Sequence, residues 1–155
     1  MYLMSSALRE AEFGNVARAR GEVKNALSIA STRDVQTLAA LALARCGDSA
    51  HARAIADELQ KQHPLDTTVN HYWLPVVYGY IKLQNGHSDA ALKILEEASP
   101  YDLAFPNPEY SEGGTLYRCT CVRRLIWPCT RARKQRPNSR NSSTIAPRHP
   151  HPEAS

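Results

Sequence analysis

Three glycines, Gly14, Gly47 and Gly86, carry the same set of neighbours, and this repetition limits the chain more than any other feature. Five residues after each stands an alanine: Ala19, Ala52 and Ala91. Nine after stands an apolar residue (Val23, Ala56, Leu95), and twelve after a small or apolar one (Ala26, Leu59, Ala98). Glycine accepts the left-handed conformation in which a helix stops and the chain turns back. The three later positions share one face of a helix of 3.6 residues per turn, and the alanine lets two backbones approach closely. A pair of short helices cannot bury its apolar face alone, so a repeat of this length predicts units stacked on one another.

Apolar periodicity predicts six helices: Tyr2–Phe13, Val16–Ala30, Val35–Cys46, Ala50–Gln62, Thr67–Gln84 and Ser88–Ala98. Short breaks join them into three antiparallel hairpins. Asp34, Asp48, Asp66 and Ser88 are expected as caps, their oxygens facing the free amides of a first turn. The fourth helix stops at His63-Pro64-Leu65-Asp66, since Pro64 cannot continue the ladder. Pro75 conflicts with its surroundings, because inside a helix it costs about 3 kcal/mol. Two resolutions stand open: a kink within Thr67–Gln84, or a regular helix that starts near Leu74.

The spacing resembles the tetratricopeptide repeat. Gly14, Gly47 and Gly86 match its turn, and Ala19, Ala52 and Ala91 its close-packing position. Pro64 matches its terminal proline and Gly79 the small residue of its first helix. Gly14 to Gly47 is near the usual period of about 34. Gly47 to Gly86 is longer, and the His63–Asn70 connection is expected to absorb the excess. The aromatic and leucine positions of the first helix match poorly, so the repeat is degenerate. The resemblance implies an all-α fold, a right-handed solenoid of stacked antiparallel hairpins over residues 1–99. Residues 100–117 would then be a loop leading to an interrupted further repeat.

Two stretches carry a narrower resemblance, TRDVQTLAALALARCGDSAHARAIADELQKQHPLDTTVNHYWLP and HSDAALKILEEASPYDLA. They are similar to the helical C-terminal region of bacterial serine/threonine protein kinases, where such repeats follow a kinase domain. Similar repeats also follow winged-helix domains in transcriptional regulators. The chain contains no kinase Gly-rich loop, HRD or DFG motif, so the resemblance transfers no catalytic residue. The expectation is a non-catalytic interaction scaffold, a fragment of a bacterial signalling protein.

Charge divides the chain. Residues 1–117 hold ten basic and fourteen acidic side chains, and residues 118–155 nine basic and one acidic. The body is Ala- and Leu-rich with 7% aromatics overall, a bias that suits helices over strands. After Tyr117 the periodicity vanishes into Arg, Pro, Ser and Asn, and residues 118–155 are expected to be a disordered basic tail. Read from the third base of each codon, Arg118–Ile145 permits an Ala-Leu-rich helical sequence, and Trp127 into Pro128 is forced to Ala. A frame slip near Tyr117–Arg118 is the expectation. The basic side chains (Arg123, Arg124, Arg131, Arg133, Lys134, Arg136, Arg140) would hold phosphate backbones only without sequence preference.

Few constellations suggest chemistry. Cys119, Cys121 and Cys129, with His149 and His151, lack the paired C-x₂-C spacing of zinc sites, so neither metal nor cofactor is expected. Cys46 reads as a small apolar residue at a helix end. His63, His71 and His87 lie in or beside turns, and Glu96-Glu97 reads as a solvated helix face. Stacked hairpins curve, and the first helix of each lines the concave side. That places Asp34, Thr37 and Arg45, then Trp73, Tyr80 and Gln84, on the surface that would take a protein or peptide; equally, Trp73 and Tyr80 could pack against a neighbouring hairpin. Without a polar capping helix, the last repeat could also self-associate. No signal peptide and no apolar run of about 18 residues is present, so a cytoplasmic protein without a membrane segment is expected.

Overall fold

The three glycines decide where the chain reverses. A computed structural model describes residues 2–101 together with 121 and 122. In it Gly14, Gly47 and Gly86 have φ of 83°, 77° and 79°. Each turn closes with the same two bonds. The glycine amide donates three residues back (Gly14 to Ala11, Gly47 to Ala44, Gly86 to Leu83). The next amide donates five back (Asn15 to Glu10, Asp48 to Leu43, His87 to Lys82). This is the Schellman arrangement, which satisfies carbonyls that a helix end leaves free.

The helices are α1 (Tyr2–Glu12), α2 (Val16–Ile29), α3 (Arg33–Arg45), α4 (Ser49–Gln62), α5 (Leu74–Gln84) and α6 (Ser88–Ala98). No strand occurs among the described residues; the fold is all-α. Each glycine turn joins a packed pair: α1 with α2, α3 with α4, α5 with α6. Between pairs, α3 touches α1 and α2 on one side and α5 on the other, and α4 also touches α5. The alanines Ala19, Ala52 and Ala91 are fully buried in these seams.

Helix α3 is the centre of the core. Every residue from Thr37 to Arg45 is buried, which a helix with neighbours on several sides requires. Its four alanines, Ala39, Ala40, Ala42 and Ala44, keep those neighbours close. The outer helices α2, α4 and α6 bury one stripe each, such as Ala52, Ala56 and Leu59 in α4. Burying a leucine of this kind contributes about 1.5–3 kcal/mol.

The start of the third hairpin answers the Pro75 conflict. Thr67 and Thr68 already turn helically, Val69–Trp73 forms a π-helical segment, and regular α-helix resumes at Leu74. The Leu74 amide reaches back to the Val69 carbonyl, five residues away, and Pro75 falls in the first turn of α5, where a missing amide costs little. The extra length of the third repeat therefore lies mainly in this helical stretch and not in the loop, as the His63–Asn70 expectation had it.

Two caps differ from expectation. Thr32, not Asp34, caps α3: its extended backbone starts the helix, and its hydroxyl accepts from the Val35 amide at 3.4 Å. Asp34 lies in the first turn, where a carboxylate still complements the helix dipole. Ser88 is the first residue of α6; His87 holds the cap position, without a side-chain bond. Asp48 and Asp66 do accept first-turn amides, from His51 at 3.4 Å and from Val69 at 3.0 Å.

Of the expected disordered tail, Cys121 and Val122 are helical, and Cys121 is buried in the core. A cysteine behaves there as a small apolar side chain, so this point of the tail departs from the expectation. The remaining expectations for residues 102–155, including the basic side chains and Cys119, Cys129, His149 and His151, lie outside the described residues.

Candidate functional site

Arg45 is the organising residue of the expected concave surface. It ends α3, and its side chain is only 6% exposed. A buried guanidinium needs compensation. Here the Glu12 carboxylate lies 3.5 Å away at the end of α1, and the Tyr80 ring of α5 lies beneath, 5.1 Å from ring centroid to guanidinium. The Gln84 side-chain amide donates to the Arg45 carbonyl at 3.1 Å, satisfying a carbonyl of the last turn of α3. Arg45, Tyr80 and Gln84 thus come together, tying the ends of α1, α3 and α5.

Thr37, Trp73 and Asp34 have partners of their own. Thr37 is buried and its hydroxyl donates back to the Arg33 carbonyl at 2.8 Å. Trp73 is 9% exposed and meets Tyr72 edge-on, with centroids 5.1 Å apart. Asp34 accepts from Arg33 at 2.9 Å, and Arg33 also reaches Asp66 at 2.8 Å, joining the start of α3 to the loop after α4. Tyr80 is fully buried. Only Asp34 and Gln84 present substantial side-chain surface, so the six do not make one open patch.

A cavity of about 360 Å³ lies elsewhere, bounded by α4, α5 and α6. None of the six residues lines it. Leu74, Pro75, Tyr78 and Ile81 from α5 and Ile94 from α6 line it, together with polar side chains such as Gln60 of α4. The Tyr78 hydroxyl donates to Asp57 of α4 at 2.7 Å. Burial, and then that bond, push the phenol up to about 12, so the proton stays on Tyr78 through the neutral range. The sequence held one trace of this cavity, the unresolved Pro75. Asn70 had no visible pattern, yet its amide donates to the carbonyls of His63 at 2.8 Å and Asp66 at 2.8 Å and fixes the preceding loop.

Among the described residues no three His, Cys, Asp or Glu side chains gather as metal ligands would. Burial raises the Cys46 thiol above its ordinary value, which keeps it protonated. No helix among the described residues is long and apolar enough to cross a membrane. No protein-family model, curated protein or solved structure gives a match to this chain.

Proposed function

We propose that the helical body is a non-catalytic scaffold for protein–protein interaction, of the tetratricopeptide kind, and part of a larger bacterial signalling protein of the cytoplasm. One observation carries the reading. Three glycine turns share the same left-handed φ and the same pair of bonds, and three fully buried alanines follow at the same offset. A unit repeated this closely builds an extended row of helices, whose use is the surface it presents. The kinase-like stretches 32–75 and 87–104 supply the parent, a serine/threonine kinase bearing the repeats after its catalytic domain.

Panning a displayed library of random peptides against the full chain tests this. The expected result is a family of related peptides that bind saturably and one-to-one by calorimetry. The reading is overturned if no peptide is enriched, or if every enriched peptide binds an isolated 118–155 segment equally well.

A further inference from the structure

The two ends of the stack differ, and the repeat positions measure the difference. In α1, which packs on α2 and α3, the buried residues Met4, Ala7, Leu8 and Ala11 stand ten, seven, six and three before Gly14. At about 100° per residue they form one face, turned to the helices that follow. Tyr2, Arg9 and Glu12, twelve, five and two before the glycine, lie on the opposite face and are exposed. Among the described residues no hairpin precedes α1 to cover them.

Helix α3 lies between two hairpins and buries both faces. Thr37, Ala40, Leu41 and Ala44 hold the first set of positions, and Val35 and Ala42 the second. Helix α5 is the last of this series, so only its second face should be covered. Leu74 and Ile81 are buried there. Yet Val76 and Tyr80, ten and six before Gly86, are fully buried as well. Helix α6 takes part of that face, with Leu95 against Gly79, and Arg45 of α3 lies over the Tyr80 ring. Val76 points about 60° past Gly79, away from Tyr78 and its partner on α4. Met4 of α1 and Thr37 of α3 hold the same position, and each of those helices has a hairpin after it.

Past α6 the described residues are Ser99–Tyr101, Cys121 and Val122. Ser99–Tyr101 packs on α6 and on the π-helical segment, where Tyr101 stacks on His71. Cys121 is helical and fully buried in the same core cluster as Val76 and Tyr80, and Val122 packs against that cluster.

We propose that the helical turn carrying Cys121 and Val122 closes the stack, lying against Val76 and Tyr80 in the place that α5 takes against α3. The occupant of the last hairpin's free face is the chain itself. A second copy has no access to that face, contrary to the self-association expected of an uncapped repeat. The assignment is independent of the scaffold reading, since it concerns how the stack ends and leaves open what the stack binds.

Methyl NOE spectroscopy on the full chain tests the placement. Cross-peaks are expected between the Val76 methyls and the Cys121 β-protons, and none between labelled and unlabelled chains in a mixed sample. Alkylation by iodoacetamide, read at Cys121 by mass spectrometry, is expected to run about a hundredfold slower in the native chain than in urea, because the thiol is reached only when the stack opens. Cys121→Asp, which sets a charge in the core, is expected to lower the urea midpoint. The proposal is overturned if Val76 shows cross-peaks only to α1–α6, or if peaks between chains cover it. Native alkylation of Cys121 as fast as in urea, or an unchanged midpoint for Cys121→Asp, overturns it as well.

Discussion

The second and third hairpins turn back identically and begin differently. In both, a glycine at positive φ closes the turn, and a buried alanine follows five residues later. Yet α3 starts cleanly from the Thr32 cap, whereas the third hairpin starts through the Asp66 cap, the Asn70 clamp and a π-helical segment. The difference follows from one proline. Pro75 cannot donate, so the ladder shifts by one residue before it. The cavity lies beside that shift, where Asn70, Leu74 and Pro75 help to line it. Regular packing and a cavity are thus adjacent results of one repeat, intact in one copy and displaced in the next.

The largest test of this equivalence is in the outer helices. Leu59 of α4 and Leu95 of α6 fill two successive seam positions of the repeat, twelve and nine residues after their glycines, each 1% exposed. Leu59→Ala and Leu95→Ala are each expected to lose about 2–5 kcal/mol in urea unfolding. A much smaller loss for Leu95 would show the third hairpin to be loosely joined.

Gly79→Ala probes the same seam from the other side. A Cβ there would lie 2.8 Å from Leu95 Cδ2 and 2.9 Å from Cγ, within a packed contact. The expected loss is about 1–3 kcal/mol. In a Leu95→Ala background most of that loss should vanish, since the overlap is gone, and a double-mutant cycle would measure the coupling. Additive losses would count against the contact.

The turns should respond alike. An added Cβ at Gly14, Gly47 or Gly86 meets nothing within 4 Å, so alanine there tests backbone strain alone. Each substitution is expected to lower stability by about 1–2 kcal/mol. Unequal values would show that the three turns are not the same device.

The smallest effect is acid sensitivity. The bond to His51 holds the Asp48 carboxyl below its ordinary value. At Asp66, partial burial acts upward but is outweighed by bonds from the Val69 amide and the Arg33 guanidinium, so it too is lowered. A lowered folded-state value means the stabilisation is present above the ordinary value of 3.8 and lost as pH falls through the folded value. The urea midpoint should therefore fall below about pH 4. Asp66→Ala should weaken that dependence, and an unchanged acid limb would dismiss the cap.

Much of the fold was legible because it is local. A glycine after an apolar run, an alanine five residues on and a periodic stripe act within one hairpin, and five of the six helices both begin and end within two residues of where the pattern put them. The candidate site was less legible. Arg45 and Gln84 share a helix-end position, and the structure brings them together with Tyr80 and Glu12. It also buries Tyr80, Trp73, Thr37 and Arg45, which composition could not foretell, because aromatic and arginine side chains serve cores and surfaces alike. The cap of α3 was misplaced because Thr32 and Asp34 are both good caps, and only the backbone at Thr32 separates them.

By itself, then, the sequence determined where this chain turns, which faces pair and that its helices recur. These depend on φ preferences and on periodicity within about a dozen residues. Tertiary structure alone decided that Arg45 lies over Tyr80, that Cys121 enters the core and that Pro75 is admitted by a π-helical step. It also decided that a cavity opens between three helices. Those outcomes require elements distant in sequence to meet at a fixed register, and register is set only when the hairpins pack.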